Sequence, residues 1–225
     1  MRINKYVALA TGMGRRAADH VIDEGRVLVN GESPSVGQGV TEDDVVSLDG
    51  AVITAAVDTA TILLNKPTGY VCSRDGQGSR TIYDLLPQEL HHLKPVGRLD
   101  KDSSGLLLMT NDGDLAHELT HPSRQKTKVY EVELSKQLQP LHRQMISDHG
   151  VTLDDGLSRL ELERQQDGDD RRWNVRMHEG RNRQIRRTFA SLGYTVVKLH
   201  RTNFGPYQLQ DIPSGNYISL NPDPS

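Results

Sequence analysis

Gly97-Arg98-Leu99-Asp100-Lys101-Asp102-Ser103-Ser104-Gly105-Leu106-Leu107-Leu108-Met109-Thr110-Asn111-Asp112-Gly113 is the stretch on which the reading of this chain turns. A turn rich in Asp and Ser leads into an apolar run of strand length. Two carboxylates, Asp100 and Asp102, sit beside Arg98 and Lys101. Loops carried on rigid elements are where catalytic groups concentrate. A cation near an aspartate lowers its pKa and keeps it ionised, as a nucleophile or general base requires. The same residues would equally cap a surface turn and pair with their neighbours, and spacing does not prefer Asp100 to Asp102.

On either side of this stretch the pattern mixes strands with helices. Thr61 to Asn65 begins a strand that stops at Lys66-Pro67. Lys128 to Leu134 and Leu157 to Glu163 alternate as strands, with Tyr130 reading as a buried strand aromatic. Pro140 to His149 reads as helical, Arg172 to His178 as a further strand and Thr195 to Leu199 as strand-like. Arg183 to Leu192 reads as a helix ended by Gly193.

The first 54 residues form a separate small unit. Ile3, Val7 and Ala10 share one helical face, and a second helix fits Arg15 to Glu24 with Ala17, Ala18, Val21 and Ile22 inward. Val27 and Val29 alternate with polar neighbours, Asn30-Gly31 is a hairpin signal, and Val45 to Leu48 turns at Asp49-Gly50 into another strand. Ala55 to Ala60 reads as a connector, residues 61–225 as the larger domain, and Asn221 to Ser225 as a frayed tail.

With 35% hydrophobic and 25% charged residues, the composition is that of a soluble globular protein. Tyr6 to Gly14, the longest uncharged run near the start, is too short to span a membrane and lacks the features of a secretory signal, so a cytoplasmic location is expected. The single Cys72 reads as a small buried hydrophobe of a reducing compartment. The net charge of −3 excludes a surface that grips nucleic acid all over, so any such contact must be local.

Local clusters exist. Arg171 to Arg187 holds seven arginines and one acid, Glu179, and Lys198-Leu199-His200-Arg201 follows. The acids lie elsewhere, at Glu42-Asp43-Asp44, Asp154-Asp155 and Asp167 to Asp170. Ile185 and Phe189 are four apart and face a core, so Arg181, Arg183, Arg186 and Arg187 point elsewhere, where guanidinium groups suit phosphate oxygens. A solvated basic face is the competing reading. In the small unit, Arg2, Lys5, Arg15 and Arg16 are charges a helix pair could show to a phosphate backbone or to water.

His117-Glu118-Leu119-Thr120-His121 matches the zinc-protease helix pattern, but Pro122 pushes His121 from helical geometry and no third-ligand continuation follows. No metal site is expected. No glycine-rich phosphate loop or dinucleotide fingerprint appears.

The 97–113 stretch resembles the central motif of the pseudouridine synthases that act on ribosomal RNA. Asn65-Lys66-Pro67-x-Gly69-Tyr70 is similar to that family's first motif, and His121-Pro122-Ser123 through Lys128-Val129-Tyr130-Glu131-Val132 to its second strand region. Glu179 to Arg187, running on to Leu199-His200-Arg201, Gly205 and Gly215, resembles its C-terminal motif. Residues 1–54 are similar to an S4 RNA-binding domain through Arg2-Ile3-Asn4-Lys5-Tyr6, Arg15-Arg16-x-Ala18-Asp19 and Gly25-Arg26-Val27-x-Val29-Asn30-Gly31, with Gly14 where that pattern often has Ser.

The resemblance implies an α+β protein: an S4-like module, then a catalytic domain on a mixed, largely antiparallel sheet. It implies Asp100 as the essential carboxylate, Tyr130 stacked on the target uracil, and Arg186 paired with Asp100. Ile185 would pack against the base or the tyrosine, and Arg98 would take the space of the flipped nucleotide. Lys66, Arg181, Arg183 and Arg187, with Arg2, Lys5, Arg15 and Arg16, are expected at the RNA. The implied reaction needs no cofactor. Its substrate is ribosomal RNA or a pre-ribosomal subunit, with Asn182 to Arg187 worded more like the large-subunit enzymes, and the chain is expected to be a monomer. A catalytically silent RNA-binding assembly factor and a zinc peptidase on His117 and His121 are the rivals.

Overall fold

A computed structural model describes residues 1–41, 43–55 and 59–220, so Glu42, most of the connector reading (56–58) and the frayed-tail reading (221–225) lie outside the described residues. The chain forms two compact units, Met1–Thr59 and Ala60–Ser225.

In the first unit, α1 (Ile3–Thr11) and α2 (Arg15–Asp23) accompany a small antiparallel sheet of β1 (Val27–Val29), β2 (Val46–Leu48) and β3 (Ala51–Val52). Ile3, Val7, Ala18, Val21, Val27, Val29 and Val46 make its core. Ala17, expected inward, is exposed, because the buried stripe of this nine-residue helix narrows to Ala18 and Val21. Asn30 and Gly31 take positive φ (53° and 86°), and Val29 and Glu32 exchange backbone hydrogen bonds of 2.8 and 3.0 Å. The tight turn forms, yet β1 pairs with β2.

The second unit contains β4 (Thr61–Lys66), β5 (Lys94–Pro95), β6 (Ser104–Thr110), α3 (Gly113–Thr120), β7 (Lys128–Leu134), α4 (Pro140–Gln144), β8 (Val151–Leu153), β9 (Gly156–Ser158), β10 (Glu161–Arg164), β11 (Arg172–Met177), α5 (Gln184–Ser191), β12 (Val196–Phe204), β13 (Tyr207–Gln208) and β14 (Tyr217–Ser219). The main sheet runs β10-β11-β7-β12-β6-β4-β14, with β5 on β6 and β13 on β12. β12 and β6 are parallel and the remaining pairings are antiparallel, giving the mixed, largely antiparallel sheet the sequence implied.

Strands β4 and β6 lie inside this sheet and are covered on both faces. Ile62, Leu64, Leu107 and Met109 enter one apolar cluster, while Leu63, Leu106 and Leu108 enter another. Double burial is why these strands read as continuous apolar runs, whereas β7 alternates. The parallel crossing of β6 and β12 requires Gly105. Its φ is +104°, and a Cβ there would sit 2.2 Å from the Arg201 carbonyl oxygen.

Two expectations need correction. Leu157 to Glu163 is not one strand, because β9 pairs with β8 whereas β10 pairs with β11, so the chain turns at Arg159-Leu160 to change partners. The helix expected over Pro140 to His149 changes after Gln144 into a wider turn over Met145–His149, and the Ile146 carbonyl accepts the Leu160 N–H at 3.3 Å. Among the described residues, no helix is long and apolar enough to cross a membrane.

Candidate active site

The Asp100 loop is held through its backbone by groups that no local pattern places there. Lys66, last in β4, is 0% exposed, and its ammonium donates to the carbonyls of Pro67 (3.0 Å), Asp100 (3.1 Å) and Ser103 (2.7 Å). Burial pushes its pKa down from the usual lysine range. The Gly69 N–H donates to the Lys101 carbonyl at 2.7 Å. The Cys72 Sγ lies 3.3 Å from the Leu99 carbonyl oxygen and 3.4 Å from its nitrogen, and burial raises the thiol pKa. Four loop positions, 99 to 101 and 103, are therefore fixed through their backbone.

Above the loop lies a cavity of about 690 Å³, inside the range typical of small-molecule sites. Asp100, Arg98, Tyr130, Ile185, Leu199 and Arg201 are among its lining residues. Tyr130 is 8% exposed, and its hydroxyl makes no hydrogen bond among the described residues. Ile185, in the first turn of α5, is buried beside it in the same apolar cluster. Arg98 is exposed and makes no hydrogen bond or ion pair among the described residues.

The cations around Asp100 are arranged differently from the expected Arg186–Asp100 pair. Arg183 donates to both carboxylate oxygens of Asp102 (3.0 and 2.9 Å) and lies 3.5 Å from Asp100 Oδ2. Arg186 donates to the Asp102 carbonyl and the Val196 carbonyl, both at 2.8 Å, and its Nε stands 3.3 Å from Asp102 Oδ2 without a well-aligned hydrogen bond. Its carboxylate partner is thus Asp102, because two backbone carbonyls on opposite sides fix the guanidinium there. The Arg183 hydrogen bonds lower the Asp102 pKa, and Asp102 in turn raises that of Arg183.

The arginine-rich stretch is not an unpaired basic face. Arg171 pairs with Glu133, Arg172 with Asp169 and Arg176 with Glu161. Arg181 pairs with Asp155 and Glu179, and Arg187 with Asp155. With Arg183 and Arg186 on Asp102, all seven have acidic partners, because folding returns the distant acids to them. Arg181 and Arg187, expected at phosphate, are half-buried and ion-paired within the protein, and Arg181 also lines the cavity. Lys66 is corrected, since an ammonium buried among three carbonyls cannot touch RNA. Arg201, which the sequence offered only as part of a basic cluster, is 2% exposed and donates from Nε to the Leu106 carbonyl at 2.8 Å.

Arg2, Arg15 and Arg16 of the first unit are exposed and Lys5 is half-buried. His121 leaves α3 with φ −64° and ψ 129°, the extended geometry expected before proline. Among the described residues, no group of three His, Cys, Asp or Glu is placed to hold a metal.

A family model described as RNA pseudouridylate synthase matches residues 60–191. The chain is 36% identical over 229 residues to the ribosomal large subunit pseudouridine synthase B of Vibrio vulnificus (strain CMCP6), covering 97% of this chain and 71% of that protein. It is 35% identical over 223 residues to the ribosomal small subunit pseudouridine synthase A of Pasteurella multocida (strain Pm70), covering 98% and 96%. A crystal structure of a pseudouridylate synthase superposes with a TM-score of 0.70 at 31% identity, covering 98% of this chain and 96% of that one.

Proposed function

This chain belongs to the RNA pseudouridylate synthase family and isomerises uridine in ribosomal RNA; from that premise we propose that Asp100 is its essential carboxylate and that large-subunit RNA carries the target. One observation carries the assignment of Asp100. Of the two carboxylates of the loop, Asp100 lines the cavity with Tyr130 and Ile185, while Asp102 lies outside that lining and is engaged by two arginines.

The reaction breaks the N1–C1′ bond, turns the base and joins C5 to C1′. N1 gains a proton and C5 loses one, so atoms and electrons balance without a co-reactant. The uracil must leave its stack, at a cost of roughly a few kcal/mol that protein contacts offset. Tyr130 stacks on the extruded uracil, its unpartnered hydroxyl lying in the cavity from which the C5 proton must depart. Ile185 packs against the same ring system. Arg98, exposed at the cavity and unpaired, fills the space the nucleotide leaves. Arg186 stabilises charge beside the loop through the Asp102 backbone.

Residues 1–54 act as an S4-like RNA-binding module, supported by two short helices with exposed Arg2 just before the first and exposed Arg15 and Arg16 opening the second. The Asn182 to Arg187 wording supports the large-subunit target.

Asp100→Asn conserves volume and removes the charge. It is expected to abolish conversion while leaving RNA affinity within about threefold, because the residue acts at the reacting nucleotide. Pseudouridine mapping of ribosomal RNA from cells lacking the protein, restored with it, or carrying Asp100→Asn tests this. A site restored equally by the variant would overturn the assignment, and a 16S site would overturn the large-subunit reading.

A further inference from the structure

We propose that Lys128 and Arg201 form a phosphate subsite in the wall of the cavity, and that it takes a phosphate flanking the extruded uridine. The inference rests on the reading of this cavity given above. Both residues stand beside Tyr130 on the sheet. Arg201 of β12 is the cross-strand partner of Tyr130 on β7, and Phe204 is the cross-strand partner of Lys128. All four line the cavity. The Arg201 guanidinium lies 4.9 Å and the Lys128 ammonium 5.4 Å from the centre of the Phe204 ring, so two cations converge on one aromatic side chain.

These two cations are short of acceptors. Arg201 is buried, yet its guanidinium uses only Nε, toward the Leu106 carbonyl. Its Nη2 is sealed from solvent with no partner, and its Nη1 has no acceptor among the described residues. Buried polar groups are otherwise hydrogen-bonded almost throughout a protein, so open donors in a cavity wall point to a ligand that carries acceptors. Half-buried Lys128 reaches only the carbonyls of Lys126 (3.2 Å) and Glu179 (3.5 Å). The carboxylates that line the cavity, Asp100 and Glu179, lie against Arg183 and Arg181 instead.

Charge and spacing favour a phosphate over the base itself. Burial first, and then the like charge of Arg201, push the Lys128 ammonium down from the usual lysine range. An anion received between the two cations relieves that repulsion, which a neutral uracil cannot do. The guanidinium adds paired donors suited to phosphate oxygens. Lys128 and Tyr130 are two residues apart on one face of β7, roughly 7 Å along the strand. With the uracil on Tyr130, the ribose bridges that span and brings a flanking phosphate to Lys128. Lys126, in the same wall, is paired with Glu118 and serves as the contrast.

The test is a cycle between protein and RNA variants. Stem-loops carrying the mapped uridine are made with either its 5′-flanking or its 3′-flanking phosphate replaced by an uncharged methylphosphonate. Conversion at limiting RNA, read by nucleoside chromatography, gives kcat/KM and so includes contacts made only after the base is extruded. With native protein, one of the two replacements is expected to lower kcat/KM roughly 10- to 100-fold, the scale of a charge-assisted hydrogen bond. Lys128→Gln should lower conversion of the unmodified RNA on that scale and shrink the cost of the same replacement to less than about threefold. Arg201→Gln should do likewise where it folds, and Lys128→Gln decides where it does not. Lys126→Gln should keep the full cost. Replacements that cost native protein nothing at either phosphate overturn the subsite, as does a cost undiminished in Lys128→Gln. Native protein that converts no uridine overturns the function and the subsite with it. An active Asp100→Asn overturns the role of Asp100 and leaves the subsite standing.

Discussion

Replacing Lys66 by Met keeps the aliphatic stem and deletes the ammonium beneath the Asp100 loop. The lost bonds are three charge-assisted donations to the carbonyls of Pro67, Asp100 and Ser103. At about 1.5–3 kcal/mol each, they sum to a gross loss of roughly 5–9 kcal/mol. Against this, an ammonium with no carboxylate hydrogen-bonded to it no longer has to be buried, a relief of several kcal/mol. The net expectation is a destabilisation of roughly 2–4 kcal/mol, with three carbonyls left without their donor. The effect on catalysis should be larger than that loss of stability implies, since a displacement near 1 Å at a reacting group costs about 100-fold.

Trp173 is the single tryptophan and is 0% exposed within the second unit, so its fluorescence follows unfolding of the catalytic part alone in urea. Release of tritium from C5-labelled uridine in ribosomal RNA measures turnover, because C5 must lose its proton. A Lys66→Met protein that loses stability but turns over within about threefold of native would show that the brace does not position Asp100. A gain in stability would show that burial of the ammonium outweighs its bonds. Reduced salt dependence of RNA binding would restore Lys66 to the RNA surface and refute its placement under the loop.

Other consequences follow from the same geometry. Gly105→Ala should cost roughly 3 kcal/mol or more, because a Cβ at φ +104° overlaps the Arg201 backbone; a urea midpoint within error of native would contradict the β6–β12 crossing. Arg98→Gln should flatten the dependence of log Kd on log salt by up to about 0.7–0.9, since Arg98, exposed and unpaired, brings one cation among the phosphates as it fills the space of the flipped nucleotide. Arg187→Gln should leave that slope nearly unchanged, because Arg187 pairs with Asp155; filter binding to a 23S transcript distinguishes the two, and equal slopes would show that ion pairing does not govern which arginines meet RNA.

Much of the architecture was legible along the chain because burial imprints local periodicity. The apolar run in β6 reports a strand covered on both faces, the alternation in β7 reports its graded burial, and Ile185 with Phe189 reports the inward face of α5. The motif order brought Asp100, Tyr130 and Ile185 together as candidates, and they line one cavity. What periodicity cannot carry is the partner of a charged side chain. Nothing within a few residues of Lys66 announces that it will be sealed beneath Asp100, and nothing near Arg183 announces Asp102, 81 positions away. The split between β9 and β10 belongs to the same class, since it follows from which strands pair. Propensity and hydrophobic spacing are local properties, so the sequence by itself determined most of the elements and their inward faces, while the preference for Asp100 over Asp102 came from the family resemblance of the 97–113 motif. Charge compensation is a property of three-dimensional neighbours, and only the tertiary structure decided that the arginine-rich stretch is internally neutralised, that Lys66 braces the loop, and that Asp102 rather than Asp100 receives the arginines.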